Sequence, residues 1–286
     1  MPVSLASNTP SIKAQRQLGK TSDSLSKTYE RLSSGMRINK AADDAAGLAV
    51  AESLRADTRV AAAAIRNAND GISVTSIADA ALQEVGNILT RMAELAEQSS
   101  NGVYTNSQRS ALSSEFVALG SEIERIAVTT EFNSVKLLSG SSSVTLQVGF
   151  DSASTSQITI TAISGTLNSL GLAATNSSAM SYSIIGATTA GAQSAALNAL
   201  DAVNAAISTL AATRGTLGAA ESRLNTAIAY LSVARENFAA AESRIRDADI
   251  AQEVAEMTRL QVLQQAGAAV LAQANQQPKI AFQLLQ

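Results

Sequence analysis

The chain has no cysteine, no histidine and no tryptophan, and only three prolines in 286 residues. Without cysteine there is no disulfide and no thiolate metal site. Without histidine the commonest general base and the commonest metal ligand are both missing. The composition therefore argues against an enzyme, and no cofactor or metal is expected. Aromatic residues make up 3% of the chain although 46% is apolar, so much of the apolar content is alanine. Small side chains let helices approach closely, which suits helix-on-helix packing better than a ligand pocket. Net charge is −3, and no cluster of Lys and Arg is dense enough to suggest nucleic-acid binding. No run reaches the roughly 18 consecutive apolar residues of a membrane span, so no membrane insertion is expected. The opening Met1-Pro2-Val3-Ser4-Leu5 lacks the pattern of a secretory signal. On these grounds alone the protein reads as cytoplasmic, but a protein exported without signal cleavage has the same features.

What is abundant is a seven-residue repeat. Val203, Leu210, Leu217, Leu224, Leu231, Phe238 and Ile245 stand seven apart. Three residues after each comes a small one: Ala206, Thr213, Ala220, Ala227, Ala234, Ala241 and Ala248. Such a repeat marks a helix with one narrow adhesive seam, here an intramolecular coiled-coil seam. Spanning about 55 residues, it predicts a helix about 80 Å long.

The prolines stand only at Pro2, Pro10 and Pro278, so nothing between them breaks a helix. A first helix is predicted from about Leu5 to Ser34, with a seven-residue step through Leu18, Leu25 and Leu32 and one slip of register after Ile12; Gly35 ends it. Asp43 or Asp44 caps a second helix that carries Leu48, Ile65, Ala68, Ile72, Leu82, Leu89 and Met92 and stops at Asn101-Gly102. A third runs over about 107–128 on Leu112, Phe116, Leu119, Ile123 and Ile126. From Leu137 to Thr213 there is no Lys or Arg, and the only acids are Asp151 and Asp201. There Val144–Val148 and Gln157–Thr161 alternate as strands do, with Gly149–Ser156 between them and a short strand expected at Tyr182–Ile185. The heptads resume near Gly191, and a last helix follows Asp249.

That last helix lacks a solvated face. From Leu260 to Gln286 the only charge is Lys279, whereas a surface helix normally opposes a charged face to its apolar stripe. Burial in an assembly of many copies is the preferred reading, with Leu18, Leu25, Leu32, Met257, Leu260, Leu263, Val270 and Leu271 as its candidate contacts. With heptads at both ends, the chain is expected to fold back on itself, with its ends side by side and the β-containing insert at the far tip. Head-to-tail contacts that do not close would then build a filament. Asp43-Asp44 and Asp247/Asp249 read as helix caps, not as catalytic or metal carboxylates. Asp70-Gly71 reads as a packing device within a helix. The Ser/Thr run from Ser139 to Ser156 is either a soluble loop or an acceptor of O-linked sugars.

Two long motifs now carry a resemblance. Glu30-Arg-Leu-Ser-Ser-Gly-Met-Arg-Ile-Asn39, Ala41-Ala-Asp-Asp-Ala-Ala-Gly-Leu-Ala49 and Arg66-Asn-Ala-Asn-Asp-Gly-Ile-Ser73 resemble the N-terminal signature of bacterial flagellins. Ser243-Arg-Ile-Arg-Asp-Ala-Asp249, Val262-Leu-Gln-Gln-Ala-Gly267 and Leu271-Ala-Gln-Ala-Asn-Gln276 resemble the C-terminal one. The resemblance spans about 1–135 and 195–286. It implies a mainly α fold of long antiparallel coiled-coil helices with a small β-hairpin insert, in a short form without large outer domains. It implies an inner terminal domain from 1–42 and 247–286, a rod domain from 43–138 and 191–246, and a variable insert at 139–190 facing solvent. The function implied is that of the structural subunit of the flagellar filament. The alternative is a hook–filament junction protein, which shares similar termini.

As partners the resemblance implies copies of the chain itself, the flagellar export apparatus and an export chaperone, the filament cap and hook-junction proteins, and a host Toll-like receptor. The location implied is extracellular, in the flagellum, reached by type III export without signal cleavage. The family's receptor-contact pattern matches at Arg91, Glu94, Leu95, Gln98 and Glu115, while Ala93 and Glu97 depart from a common family pattern. An alternative role for these five is an axial subunit contact or a plain solvated face.

Overall fold

The computed structural model describes residues 7–140, 143–174 and 177–284, with side chains as far as Gln277. The helical start expected at Leu5 lies outside these residues. The elements are α1 (Thr9–Ser34), α2 (Ala45–Ser100), α3 (Asn106–Thr129), β1 (Glu131–Phe132), β2 (Val135–Lys136), β3 (Val144–Gln147), β4 (Gln157–Ile160), α4 (Thr189–Arg246) and α5 (Ile250–Leu284). Local chemistry sets most of the ends. Asn8 caps α1, its side chain accepting from the Ser11 N–H, with Pro10 in the first turn, and Gly35 closes the helix in the left-handed conformation at φ 71°. Asp44 accepts from Gly47 N and Asp249 from Ala251 N, so both act as caps. Thr105 and Gln108 form a reciprocal capping box at the start of α3.

The chain divides into two compact units, one of the residues up to Thr58 with those from Glu236 onward, the other Arg59–Arg235. The boundaries expected at 42/43 and 246/247 followed loops; these cuts fall inside α2 and α4, because both helices run unbroken past those loops.

In the first unit α1 and α5 lie antiparallel. Asn8 donates to the Ala274 carbonyl at 2.9 Å, and Arg31 meets Glu253 at 3.3 Å. The α1 seam runs through Ser11, Ala14, Leu18, Thr21, Leu25, Thr28 and Leu32, all buried or half-buried, alternately three and four apart as in a heptad. This removes the register slip expected after Ile12. The seam continues evenly through Ser11, and Ile12 points to solvent, 54% exposed. The two connectors of this unit are joined. Met36 and Asp247 form an antiparallel bridge, with Arg37 N donating to Arg246 O and Ala248 N to Gly35 O.

In the second unit α2 and α4 are also antiparallel. Arg214 makes a bidentate pair with Asp79, at 2.7 and 3.0 Å. Leu82, Leu89, Met92 and Leu95 of α2, Phe116 and Ile123 of α3, and Val203 and Ala206 of α4 are fully buried in one core. β3 and β4 pair in register, Leu146 with Ile158 and Val144 with Ile160, so the apolar side chains share one face and Thr145 and Thr159 share the exposed one. Leu146 packs on Gly71 of α2, where an added Cβ would collide with it and stand 3.2 Å from Leu224 Cδ1. Gly71 is thus the packing device expected there.

Two expectations about the middle of the chain are corrected, and one element was not foreseen. The insert does not sit at a tip facing solvent. Ile160, Ile163, Leu167, Leu170, Leu172 and Ile184 belong to the same core as the helices, and the segment runs along α2, from Leu146 at Gly71 to Ile184 O, which accepts from Ser99 Oγ. Burying those side chains is worth more than leaving a polar loop free. No strand forms at Tyr182–Ile185; Met180 instead bridges Ala173. A hairpin not expected, β1–β2, turns at Asn133 and Ser134, both with positive φ (49° and 65°), the geometry of a type I′ turn. α4 also holds a window long and apolar enough by composition to span a membrane, with 28% of it buried. Much of this helix is alanine; Val203, Leu210 and Leu217 face the core, whereas Leu197 is 51% exposed.

Candidate self-assembly surface

The helix α5 uses only one narrow strip against α1. Glu253, Met257, Leu260, Gln264, Gly267, Leu271 and Ala274 are buried or half-buried, spaced alternately by four and three. Gly267 lies against Leu18, whose Cδ1 would stand 3.4 Å from an added Cβ, an ordinary packing distance. Polar bonds seal the edges: Ser11 Oγ donates to Asn275 Oδ1 at 2.7 Å, and Gln261 Nε2 to the Tyr29 hydroxyl at 2.8 Å.

The remainder of α5 is bare. Val262 and Val270 are 59% exposed and Leu263 44%. Between Leu260 and Gln277 no side chain is charged. A monomer seldom leaves so large an apolar, uncharged face to water unless another protein covers it. The outer side of α1 differs, with Lys13, Arg16 and Lys20 all exposed. Nearer the connectors, charge returns to α5. Arg259 pairs with Glu256, and this hydrogen-bonded contact holds the Glu256 carboxyl below its usual range.

The eight candidate assembly contacts therefore fall in two places. Leu25 and Leu260 are buried in the α1–α5 seam, with Leu18, Leu32, Met257 and Leu271 half-buried; Leu263 and Val270 look outward. The seam of α4 lies inward along its length: Val203, Leu210, Leu217, Leu224 and Leu231 are buried, and Phe238 and Ile245 half-buried. Val262 is exposed on the same face but was not among the candidates. The three-four alternation of α5 would have marked it, since it falls between two seam positions.

Sequence comparison adds to this geometry. The model of the bacterial flagellin N-terminal helical region matches residues 5–143, and that of the C-terminal helical region residues 200–285. A flagellin of Halalkalibacterium halodurans is 44% identical over 97% of this chain and 98% of its own length. The chain belongs to the bacterial flagellin family. A flagellar filament 33 kDa core protein of Treponema phagedenis is 37% identical over 95% of this chain and 96% of its own. A flagellin of Listeria monocytogenes is 34% identical over 97% and 98%. The crystal structure of Bacillus cereus flagellin aligns with 58% of this chain and 88% of that chain, at 27% identity and a TM-score of 0.48. As a flagellin the chain is a structural protein and not an enzyme; it polymerises with its own copies in the flagellar filament.

The residues matching the family's receptor pattern lie where α2 meets α3. Arg91 donates to Glu115 and to Glu94, each at 2.9 Å. Glu94 and then Glu115 raise the Arg91 pKa above its usual value. Gln98 donates to the Tyr104 hydroxyl at 3.0 Å. Leu95 does not share this surface: it is 0% exposed and belongs to the core. The pattern of three and four residues spread these positions over a wide arc, and Leu95 takes its inward edge.

A polar residue that the sequence did not flag sits beneath them. Arg109 is fully buried. Its Nε and Nη2 donate to the carbonyls of Ser99 and Asn101, each at 2.9 Å, and its Nη1 to that of Thr189 at 3.5 Å. It therefore ties the end of α2 to the starts of α3 and α4, satisfying carbonyls that a helix end leaves open. Its place in the first turn after the Thr105–Gln108 capping box was the available signal. Among the described residues no cluster of three or more acids gathers as a metal site would need.

Proposed function

We propose that the α1–α5 pair is the element through which the subunit joins the filament, and that the bare face of α5 is its main contact with neighbouring copies. One observation supports this most: Val262, Leu263 and Val270 are exposed on a stretch without charge. Fully burying each such side chain contributes roughly 1.5–3 kcal/mol, enough in sum to order a helix pair that gains little alone. Residues 1–42 and 247–286 form the inner terminal domain, 43–138 and 191–246 the rod layer, and 139–190 is carried by the rod. The heptad seam of α4 holds the rod together within each subunit.

The protein works outside the cell, delivered by the flagellar export apparatus with its chaperone and without cleavage of a signal. It meets the filament cap and the hook-junction proteins at the two ends of the polymer. Arg91, Glu94, Gln98 and Glu115 supply the surface for a host Toll-like receptor. Circular dichroism before and after polymerisation tests the assembly reading. A gain of helix on assembly is expected. An unchanged spectrum, or failure to form long filaments by electron microscopy, would refute it.

A further inference from the structure

The turn between α2 and α3 carries chemistry that filament building does not use. Asn101 precedes Gly102, the one Asn-Gly pair in the sequence. Asn101 is exposed, in the bend that follows α2. Its side-chain Oδ1 accepts a hydrogen bond from the Val103 N–H at 3.2 Å. That donor draws electron density from the amide carbon Cγ. The nucleophile next to it is the backbone nitrogen of Gly102, a residue with no side chain of its own. A Cβ here would stand 2.9 Å from Gln193 Nε2, the free end of a flexible side chain that can move aside.

We propose that Asn101 is a self-modification site, closing onto the Gly102 nitrogen and reopening mainly to isoaspartate, the product that gives buried Arg109 a carboxylate partner. In the first step the Gly102 nitrogen bonds to Cγ and gives up its proton. The bond from Cγ to the side-chain nitrogen breaks, and ammonia leaves a cyclic imide. Water then adds to one of the two ring carbonyls. Addition at Cγ yields aspartate. Addition at the main-chain carbon yields isoaspartate, in which the chain passes through the former side chain. There the former main-chain carbonyl of residue 101 becomes a free carboxylate.

That carbonyl is the one that accepts from Arg109 Nη2 at 2.9 Å. The other Arg109 acceptors are also carbonyls. Among the described residues it has no ion-pair partner, although it is 0% exposed. A carboxylate holds a buried guanidinium more strongly than a neutral carbonyl does. The end of α2 opposes this with about half a negative charge. The Arg109 cation is whole and already at hydrogen-bond distance, so its attraction prevails.

The test uses the full-length chain at mildly alkaline pH, sampled over time and mapped by peptide mass spectrometry with an isoaspartate-specific methyltransferase assay. The expected result is an acidic shift of one charge on isoelectric focusing, arising at Asn101 before Asn204 or Asn225. The ratio of isoaspartate to aspartate should be larger in the folded chain than in the same chain kept unfolded in urea. Conversion at Asn101 no faster than at Asn204, or a ratio no larger in the folded chain, would overturn the proposal. Asn101→Gln, whose longer side chain closes a ring less readily, should remove the shift with circular dichroism unchanged. A shift persisting in that variant would also overturn it.

Discussion

The α1–α5 pair and the core of the Arg59–Arg235 unit are both helical and alanine-rich, yet they close their apolar surface differently. The core gathers large side chains from three helices, a hairpin and an irregular segment, so Leu82, Leu89, Phe116 and Leu172 lose all contact with water. The helix pair shares one strip a single residue wide, and Thr21 and Thr28 are among its most buried members. A core closed from several sides can hold itself together. A two-helix strip cannot, since short helices in isolation are marginal and their stability comes from packing. In the proposed reading, what the pair leaves open is the surface by which one copy joins another.

The contrast breaks most visibly if the bare face is spoiled. Val270→Asp is expected to abolish polymerisation while shifting the thermal transition of the monomer by no more than about 0.5 kcal/mol, as for other exposed sites. Sedimentation under polymerising conditions and calorimetry of the monomer read the two effects. Retained polymerisation would show that this face is not used. Next in size is Leu89→Ala, expected to cost about 2–5 kcal/mol in monomer unfolding, the range for a buried leucine. Leu25→Ala, in the strip, should leave that calorimetric transition nearly unmoved and raise the concentration needed for filaments. Equal loss of monomer stability from the two would erase the distinction between the regions.

Gly71→Leu should cost about 1–3 kcal/mol by overpacking against Leu146 and Leu224, seen in urea unfolding. The smallest effect sharpens the comparison through pH. The Arg214 guanidinium holds the Asp79 carboxyl below its ordinary value of 3.8. The pair therefore contributes fully above that value, and its contribution disappears as the pH falls through the lower, folded-state value. Both side chains are more than a third exposed, so Asp79→Asn should cost under about 1 kcal/mol at neutral pH. Paired melting curves of the two proteins should converge in strong acid.

The helices and the long seam were legible because period and cap are local properties. Val203, Leu210 and Leu217 disclose their seam by spacing alone, and Gly35 and Asp44 mark helix ends by their own chemistry. The hairpin of Val144 and Ile160 was legible for the same reason. The course of the middle segment was not. Ile163, Leu167 and Leu172 follow no period, and only the groove presented by α2, α3 and α4 decides where they lie. β1 and β2 are too short to alternate, leaving Asn133 as their one sign. At the candidate surface the apolar residues were readable but their direction was not. Leu95 and Leu263 look alike in sequence, and the rotation of each helix about its axis sends one inward and the other out.

The bridge between Met36 and Asp247 has a mechanical consequence. A pull or twist arriving along α1 would otherwise pass to α2 through the connector at 35–44 alone. Because Arg37 and Ala248 are laced to the opposite connector through Arg246 and Gly35, the load divides between α2 and α4. A propeller shaft that must transmit torque thus has two strands tied at the joint where one would be its weakest point.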